Sequence, residues 1–319
     1  MQYKEEYRKM GGIEQYLLHF PAGPGAPVLL FVHGGPGVAE SCLGYLYSRW
    51  WDGLFTVVHW DQRGAGKTRQ RNRHMKQAPP TMAQMMDDLF EVVQLVKAAY
   101  RVPRVVLLGH SWGSLLGSLY ALRVPGDVAL YIGVGQNVAM QQSEAIAFEK
   151  LKDEVAAKGT PRQKRRWAQL AAAGPYPPQG ASFAEVVPQM RRVNGLMRQF
   201  GMATGLDWRL CRAVLKSPTA GLAELKMFLG VGQKANDGLR EAVWAFDLQK
   251  EPRRYAVPVC YILGERDYQT ATPLAQAYFQ QIEAPEKACF VLAGAGHNTM
   301  FDAPEAFAEA LAAARKMVE

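Results

Sequence analysis

A doubly wound, mostly parallel α/β sheet carrying an inserted helical segment is the fold class that this sequence predicts. Three observations lead there. Short, continuously apolar runs alternate with stretches of helical periodicity. That alternation stops near residue 136 and resumes near residue 255. The composition, 49% hydrophobic and 21% charged over 319 residues, is that of a globular chain long enough to bury a substantial core. Extended disorder and low-complexity scaffolding are excluded on the same ground.

The apolar runs are Pro27–Val32, Phe55–Trp60, Arg104–Leu108, Val128–Ile132, Val257–Leu263 and Lys287–Leu292. Runs without polar alternation suit strands covered on both faces, as in a parallel sheet. Between them, Thr81-Met-Ala-Gln84 has the spacing of a capping box and leads into Met85, Leu89, Val92 and Val96 on one helical face. Thr272-Pro273 opens another helix, with Leu274, Tyr278 and Ile282 on its inner side. Asp302-Ala-Pro-Glu305 opens the last, where Phe307, Leu311, Ala314 and Val318 form the inward stripe.

Residues 1–135 and 255–319 are therefore expected to build the core, and residues 136–254 a helical lid broken at Gly174–Pro178 and Ser217-Pro218. The lid holds 19 basic and 11 acidic residues, so it carries the chain's whole net charge of +8. A solvated helix face explains such a run, and attraction to anionic substrates or lipid headgroups is the alternative. No nucleic-acid-binding motif accompanies it, so no nucleic-acid partner is expected. The longest apolar stretch, Val105–Val124, is interrupted by His110, Ser111, Ser114 and Ser118, and no membrane span is expected. Glu5 and Glu6 stand where an export signal would carry apolar residues. Four scattered cysteines without a CxxC pair read as buried free thiols, and the expected location is the cytoplasm.

The chemistry begins at Gly109-His-Ser-Trp-Gly113, which follows a strand and precedes a helix containing Leu115, Leu116, Leu119 and Leu122. In that context G-x-S-x-G reads as a nucleophile elbow, and Ser111 as a catalytic serine. A serine hydroxyl needs a base within hydrogen-bond reach. Of the six histidines, His297 in Gly294-Ala-Gly-His297 follows the last strand and opens on the same sheet edge as Ser111. His19, His33, His59 and His110 lie in or beside strands and turns, and His74 falls in a basic surface loop. An orienting acid is expected in Gly264-Glu-Arg-Asp267, where Asp267 is preferred and Glu265 is the competitor. The oxyanion needs two N–H donors: Trp112 directly after the nucleophile, and Gly35, with Gly34 as the alternative, in His33-Gly-Gly-Pro-Gly37.

Together with Trp60-Asp-Gln-Arg-Gly-Ala-Gly66, these motifs resemble the α/β-hydrolase fold, and their combination is similar to the proline iminopeptidase branch of serine peptidases. The resemblance covers the two core segments. It implies a Ser111–Asp267–His297 triad, an acyl-enzyme route and neither metal nor organic cofactor. It also implies that the Asp61–Gly64 turn is structural, with Asp61 and Arg63 as a buried ion pair. The lid departs from that branch, whose lid glutamates hold the substrate's amino terminus within a recognisable local motif. Arg191–Phe200 contains no acid, and Glu144, Glu185, Glu224 and Glu241 read as exposed helix residues. A lid of this charge repels a cationic amine.

The expected activity is thus hydrolysis of a small ester or amide, with a small molecule or short peptide as substrate. Proline iminopeptidase activity ranks second, and a non-catalytic ligand-binding protein is the alternative of another class. Carbon–carbon bond hydrolysis remains open to the same triad. Dehalogenase or epoxide hydrolase chemistry needs an aspartate at position 111. Trp208, Phe200 and Met197, together with the lid residues Trp167, Trp244 and Phe228, suggest an apolar substrate pocket.

Overall fold

A computed structural model describes residues 2–51, 53–75, 78–204, 207–228 and 236–318. Residues 1 and 319, the expected ends of the core, and 205–206 and 229–235 of the expected lid lie outside the described residues.

Eight strands form one sheet: β1 (Lys4–Met10), β2 (Ile13–Phe20), β3 (Val28–Val32), β4 (Thr56–Asp61), β5 (Val105–His110), β6 (Val128–Val134), β7 (Val259–Gly264) and β8 (Lys287–Leu292). Their order across the sheet is β1-β2-β4-β3-β5-β6-β7-β8. From β4 to β8 every pairing is parallel, whereas β1 pairs with β2, and β2 with β4, antiparallel. The six apolar runs correspond to β3–β8, and the parallel order follows from the helices that connect them.

No apolar run in the sequence marks the antiparallel hairpin. Its β1, Lys-Glu-Glu-Tyr-Arg-Lys-Met, is an exposed edge strand with charged side chains, which conceals its period. The turn between β1 and β2 is Gly11-Gly12, both at positive φ (56° and 79°), as a two-residue hairpin of the I′ kind requires.

Alternate residues of each central strand enter two separate cores. Leu30, Val32, Leu107, Tyr261 and Leu263 join one, and Leu29, Phe31, Leu108, Ile132 and Ile262 the other. Over the first lie α3 (Met82–Tyr100), α4 (Trp112–Arg123) and α11 (Thr272–Gln281), contributing Met85, Leu89, Val92, Leu115, Leu119 and Tyr278. Over the second lie α1 (Gly44–Trp51) and α13 (Pro304–Arg315), contributing Tyr47, Trp51, Phe307 and Leu311. Short helices α2 (Gly66–Arg71) and α12 (Thr299–Asp302) sit beside loops at the strands' carboxyl ends. The cap of α3 is half of what its spacing suggests. Thr81 accepts from the Gln84 amide at 3.2 Å, while the Gln84 side chain turns to Asp88 instead of Thr81.

Between β6 and β7 run α5 (Met140–Lys158), α6 (Pro161–Ala171), α7 (Phe183–Met197), α8 (Trp208–Leu215), α9 (Leu222–Phe228) and α10 (Asp237–Ala245). Of these, α5, α6, α7 and α10 have a core of their own around Phe148, Leu151, Val193, Leu196 and Trp244, whereas α8 places Ala213 and Val214 in the second sheet core. Among the described residues no helix is long and apolar enough to cross a membrane. All four cysteines are free; Cys42 and Cys260 are buried, Cys211 and Cys289 half-buried.

Candidate active site

Strand β5 ends at His110 and α4 begins at Trp112, which leaves Ser111 alone at the turn with φ 53° and ψ −117°. A positive φ in a residue with a Cβ is strained and must be held by its surroundings. Ser111 N–H donates to Val134 O at 2.9 Å, and its carbonyl accepts from the Ser114 hydroxyl. The flanking glycines are steric necessities. A Cβ on Gly109 would lie 2.3 Å from Gly113 O, and one on Gly113 would lie 2.0 Å from Val32 O.

The loops after β7 and β8 meet opposite this turn. His297 Nδ1 lies 2.8 Å from Asp267 Oδ2. Asp267 is wholly buried, yet each carboxylate oxygen is occupied: Oδ1 accepts from the Gln269 and Thr270 amides at 2.9 and 3.1 Å, and Oδ2 from the Thr270 hydroxyl at 2.8 Å. Burial pushes this carboxyl up, but His297 and the Thr270 hydrogen bonds outweigh it and hold it below its ordinary value. In the tautomer that donates Nδ1–H to this carboxylate, Nε2 is the free acceptor. Glu265 does not compete. It is exposed, and its carboxylate accepts from the Gly294 amide at 2.8 Å.

Gly34 and Gly35 follow β3 beside the serine. A Cβ on Gly34 would stand 3.3 Å from Ser111 Cβ, and Gly35 has φ 121°, a conformation open to glycine. Their amides differ. Gly34 N–H donates to Glu40 Oε1 at 3.3 Å, whereas Gly35 N–H has no hydrogen-bond partner among the described residues. Trp112 is tied to the same loop: its indole N–H donates to Gln62 Oε1 at 2.8 Å, and the Gln62 amide donates to His33 O at 2.8 Å.

Ser111, His297, Gly34 and Gly35 line a cavity of about 490 Å³, and Ser111 and Gly35 also line an adjoining pocket of about 170 Å³. Among the described residues no hydrogen bond joins the Ser111 hydroxyl to His297. The helical segment closes the larger cavity with Arg198, Leu210, Met227 and Phe228, and the smaller with Phe183, Met190, Arg240 and Trp244.

Several expectations need correction. Trp208, Phe200 and Met197 do not line either space. Trp208 is 68% exposed on α8, while Phe200 and Met197 are spent on the interior of the helical segment. Asp61 and Arg63 are not a pair. Arg63 bonds Asp88 through Nε and Nη2 at 2.8 and 2.9 Å and reaches Gly11 O, while Asp61 Oδ2 caps the Lys67 amide. Burial pushes the Asp61 carboxyl up to about 7. Glu185 and Glu241 are exposed as read, but Glu144 and Glu224 are buried. Glu144 accepts from the Tyr176 hydroxyl, and Glu224 from the Gly221 amide and the Gln70 side chain.

Thr270, Gln62 and Glu40, which touch the site's key groups, escaped the sequence reading. Thr270 had a legible signal, since a hydroxyl three residues after a loop aspartate can bond it locally. Gln62 and Glu40 act across long loops, and no local pattern marks them.

Comparison with known proteins agrees with this architecture. Residues 29–310 match the alpha/beta hydrolase family. The Bacillus subtilis probable aminopeptidase YbaC is 26% identical over 95% of this chain and 93% of its own length. The proline iminopeptidase of Heyndrickxia coagulans is 34% identical, over only 33% of each chain. Among solved structures, a proline iminopeptidase of Mycobacterium smegmatis superposes with a TM-score of 0.70 at 21% identity, covering 99% of this chain and 98% of its own. The proline iminopeptidase-related protein of Thermus thermophilus gives 0.66 at 23%, covering 100% and 99%. With a match that spans most of its length, this chain is a hydrolase of the alpha/beta hydrolase family.

Proposed function

We propose that this protein is a serine hydrolase that cleaves a small ester or amide through an acyl-enzyme on Ser111. One observation carries the reading: the 2.8 Å bond between His297 and a fully buried Asp267, at the cavity where Ser111 is held at positive φ. His297 Nε2 takes the Ser111 proton as Oγ attacks the substrate carbonyl. Asp267 fixes the imidazole and stabilises the imidazolium that forms. The oxyanion is met by the Trp112 and Gly35 amides; Gly34 is the weaker candidate because its N–H is already given to Glu40. His297 then protonates the leaving group, and water repeats the sequence to release the acid. The helical segment 136–254 acts as a cap that sets which substrates enter.

A second reading, aminopeptidase action on an N-terminal proline, is favoured by the similarity to YbaC, a probable aminopeptidase, and to proline iminopeptidases. Against it stand two cap arginines, Arg198 and Arg240, at the cavity walls and no cap glutamate among the cavity's described lining. A fluorophosphonate probe is expected to label the native protein and not Ser111→Ala, with 4-nitrophenyl esters of short acids turned over faster than proline 4-nitroanilide. Absence of labelling at neutral pH sinks the hydrolase mechanism. Faster turnover of the anilide exchanges the two readings.

A further inference from the structure

The proposed triad leaves one buried acid–base pair beside it unused. His110, the residue before the nucleophile, is 3% exposed, and Glu40, on the loop after β3, is 6% exposed. His110 Nδ1 lies 2.7 Å from Glu40 Oε1, and His110 Nε2 lies 3.1 Å from the backbone carbonyl of His297. The two imidazole rings stand 5.1 Å apart, centroid to centroid. Glu40 Oε1 also accepts the Gly34 amide. This one pair therefore touches the loop carrying Gly35, the strand end before Ser111 and the main chain of residue 297.

The protons on the pair can be counted. A carbonyl oxygen only accepts, so Nε2 must carry a proton, and the contact between Nδ1 and the carboxylate holds one more. Two protons on two groups fit an imidazolium facing a carboxylate or a neutral ring facing a carboxylic acid, and the electrostatics of the pair favour the first. Burial alone lowers His110, but Glu40 more than restores it and holds the ring above its ordinary value. Burial likewise raises Glu40, and His110 with the Gly34 amide brings it below. His33 in the same loop behaves differently. Its Nδ1 meets Gly34 O at 2.7 Å and its Nε2 accepts from the Gln62 backbone N–H at 3.1 Å, which is one donor and one acceptor. Burial pushes it down to about 4, and it is a neutral spacer.

We propose that Glu40 and His110 are positioning residues for this hydrolase, a second carboxylate–imidazolium pair that locks the oxyanion loop and the main chain of His297 in register with Ser111. The proposal rests on the serine-hydrolase reading. His297 has its ring held by Asp267 and its main-chain carbonyl held by His110, so it is fixed at two points. With one N–H of the glycine loop tied to Glu40, the neighbouring Gly35 N–H is set at a fixed distance from the serine. An uncharged pair could hold neither point as firmly, because charge-assisted hydrogen bonds are the stronger kind.

Glu40→Gln keeps the shape and removes the charge. In the folded variant, kcat is expected to fall about 10- to 100-fold while KM stays within about twofold, since misplacement of reacting groups costs rate rather than uniform binding. Fluorophosphonate labelling should slow by the same factor. His110→Gln should behave alike, and the double variant should be no slower than the worse single variant, since both act through one contact. Thermal melting measures folding separately, and Glu40→Gln alone decides if His110→Gln fails to fold. A folded Glu40→Gln enzyme with kcat and labelling rate within twofold of the parent, or a double variant whose losses multiply, would overturn the proposal. Failure of the parent itself to label would instead overturn the hydrolase reading on which the proposal rests.

Discussion

Glu144 takes a carboxyl group into the interior of the helical segment, where the Tyr176 hydroxyl donates to it and burial pushes its pKa up to about 7. The folded value lies above the ordinary 4.5, so protonated Glu144 contributes stability that is complete below about pH 4.5 and is lost as pH rises to about 7. The full effect of a shift of that size is about 3 kcal/mol. Glu144→Gln is therefore expected to melt less steeply with pH between about 4.5 and 7 than the parent, as followed by Tm in matched buffers. An unchanged slope would mean that Glu144 does not titrate in that range. The position was open to a closer reading of the sequence. Glu144 shares its spacing with Ala147, Phe148, Leu151 and Val155, all buried on the same face of α5. For a charged residue on an apolar stripe, the phase along the helix decides burial, whatever the residue type.

At the scale of elements, the elbow was legible because its constraint is local. Strand, serine turn and helix are contiguous, and both glycines answer to backbone atoms within a few residues or on the adjoining strand. Gly113→Ala would drive a Cβ to 2.0 Å from Val32 O and should cost about 3 kcal/mol or more, read as a lower denaturation midpoint or loss of soluble protein. A variant as stable as the parent would show that β3 and α4 can separate cheaply. The pocket wall was not legible. Met197 and Phe200 have the apolar character a pocket needs, but α7 and the turn after it spend that face on the packing of the helical segment. Periodicity tells which face is buried and never against what. Arg198, on the same turn, is the residue that reaches the cavity.

At the scale of the whole molecule, Arg63 joins three distant pieces: the turn after β4, Asp88 in the middle of α3, and Gly11 O in the hairpin that extends the sheet. Asp88 is fully buried and has no exit to water. Asp88→Ala leaves the Arg63 charge buried with a single carbonyl, and a loss of about 3–5 kcal/mol is expected, measurable by urea unfolding. A loss under about 1 kcal/mol would mean that Arg63 rehydrates. What the sequence by itself determined was everything written in short-range order: the parallel core strands, the helices between them, and the serine turn. It also supplied one loop acid and one loop histidine on the edge that parallel strands share. The tertiary structure alone decided the partners: Arg63 with Asp88 rather than Asp61, Glu40 with His110, and which side chains of the helical segment face the cavity. Local patterns fix where a backbone turns and which face is buried. The choice of partner for a buried charge depends on distances between elements tens of residues apart, and those exist only after packing.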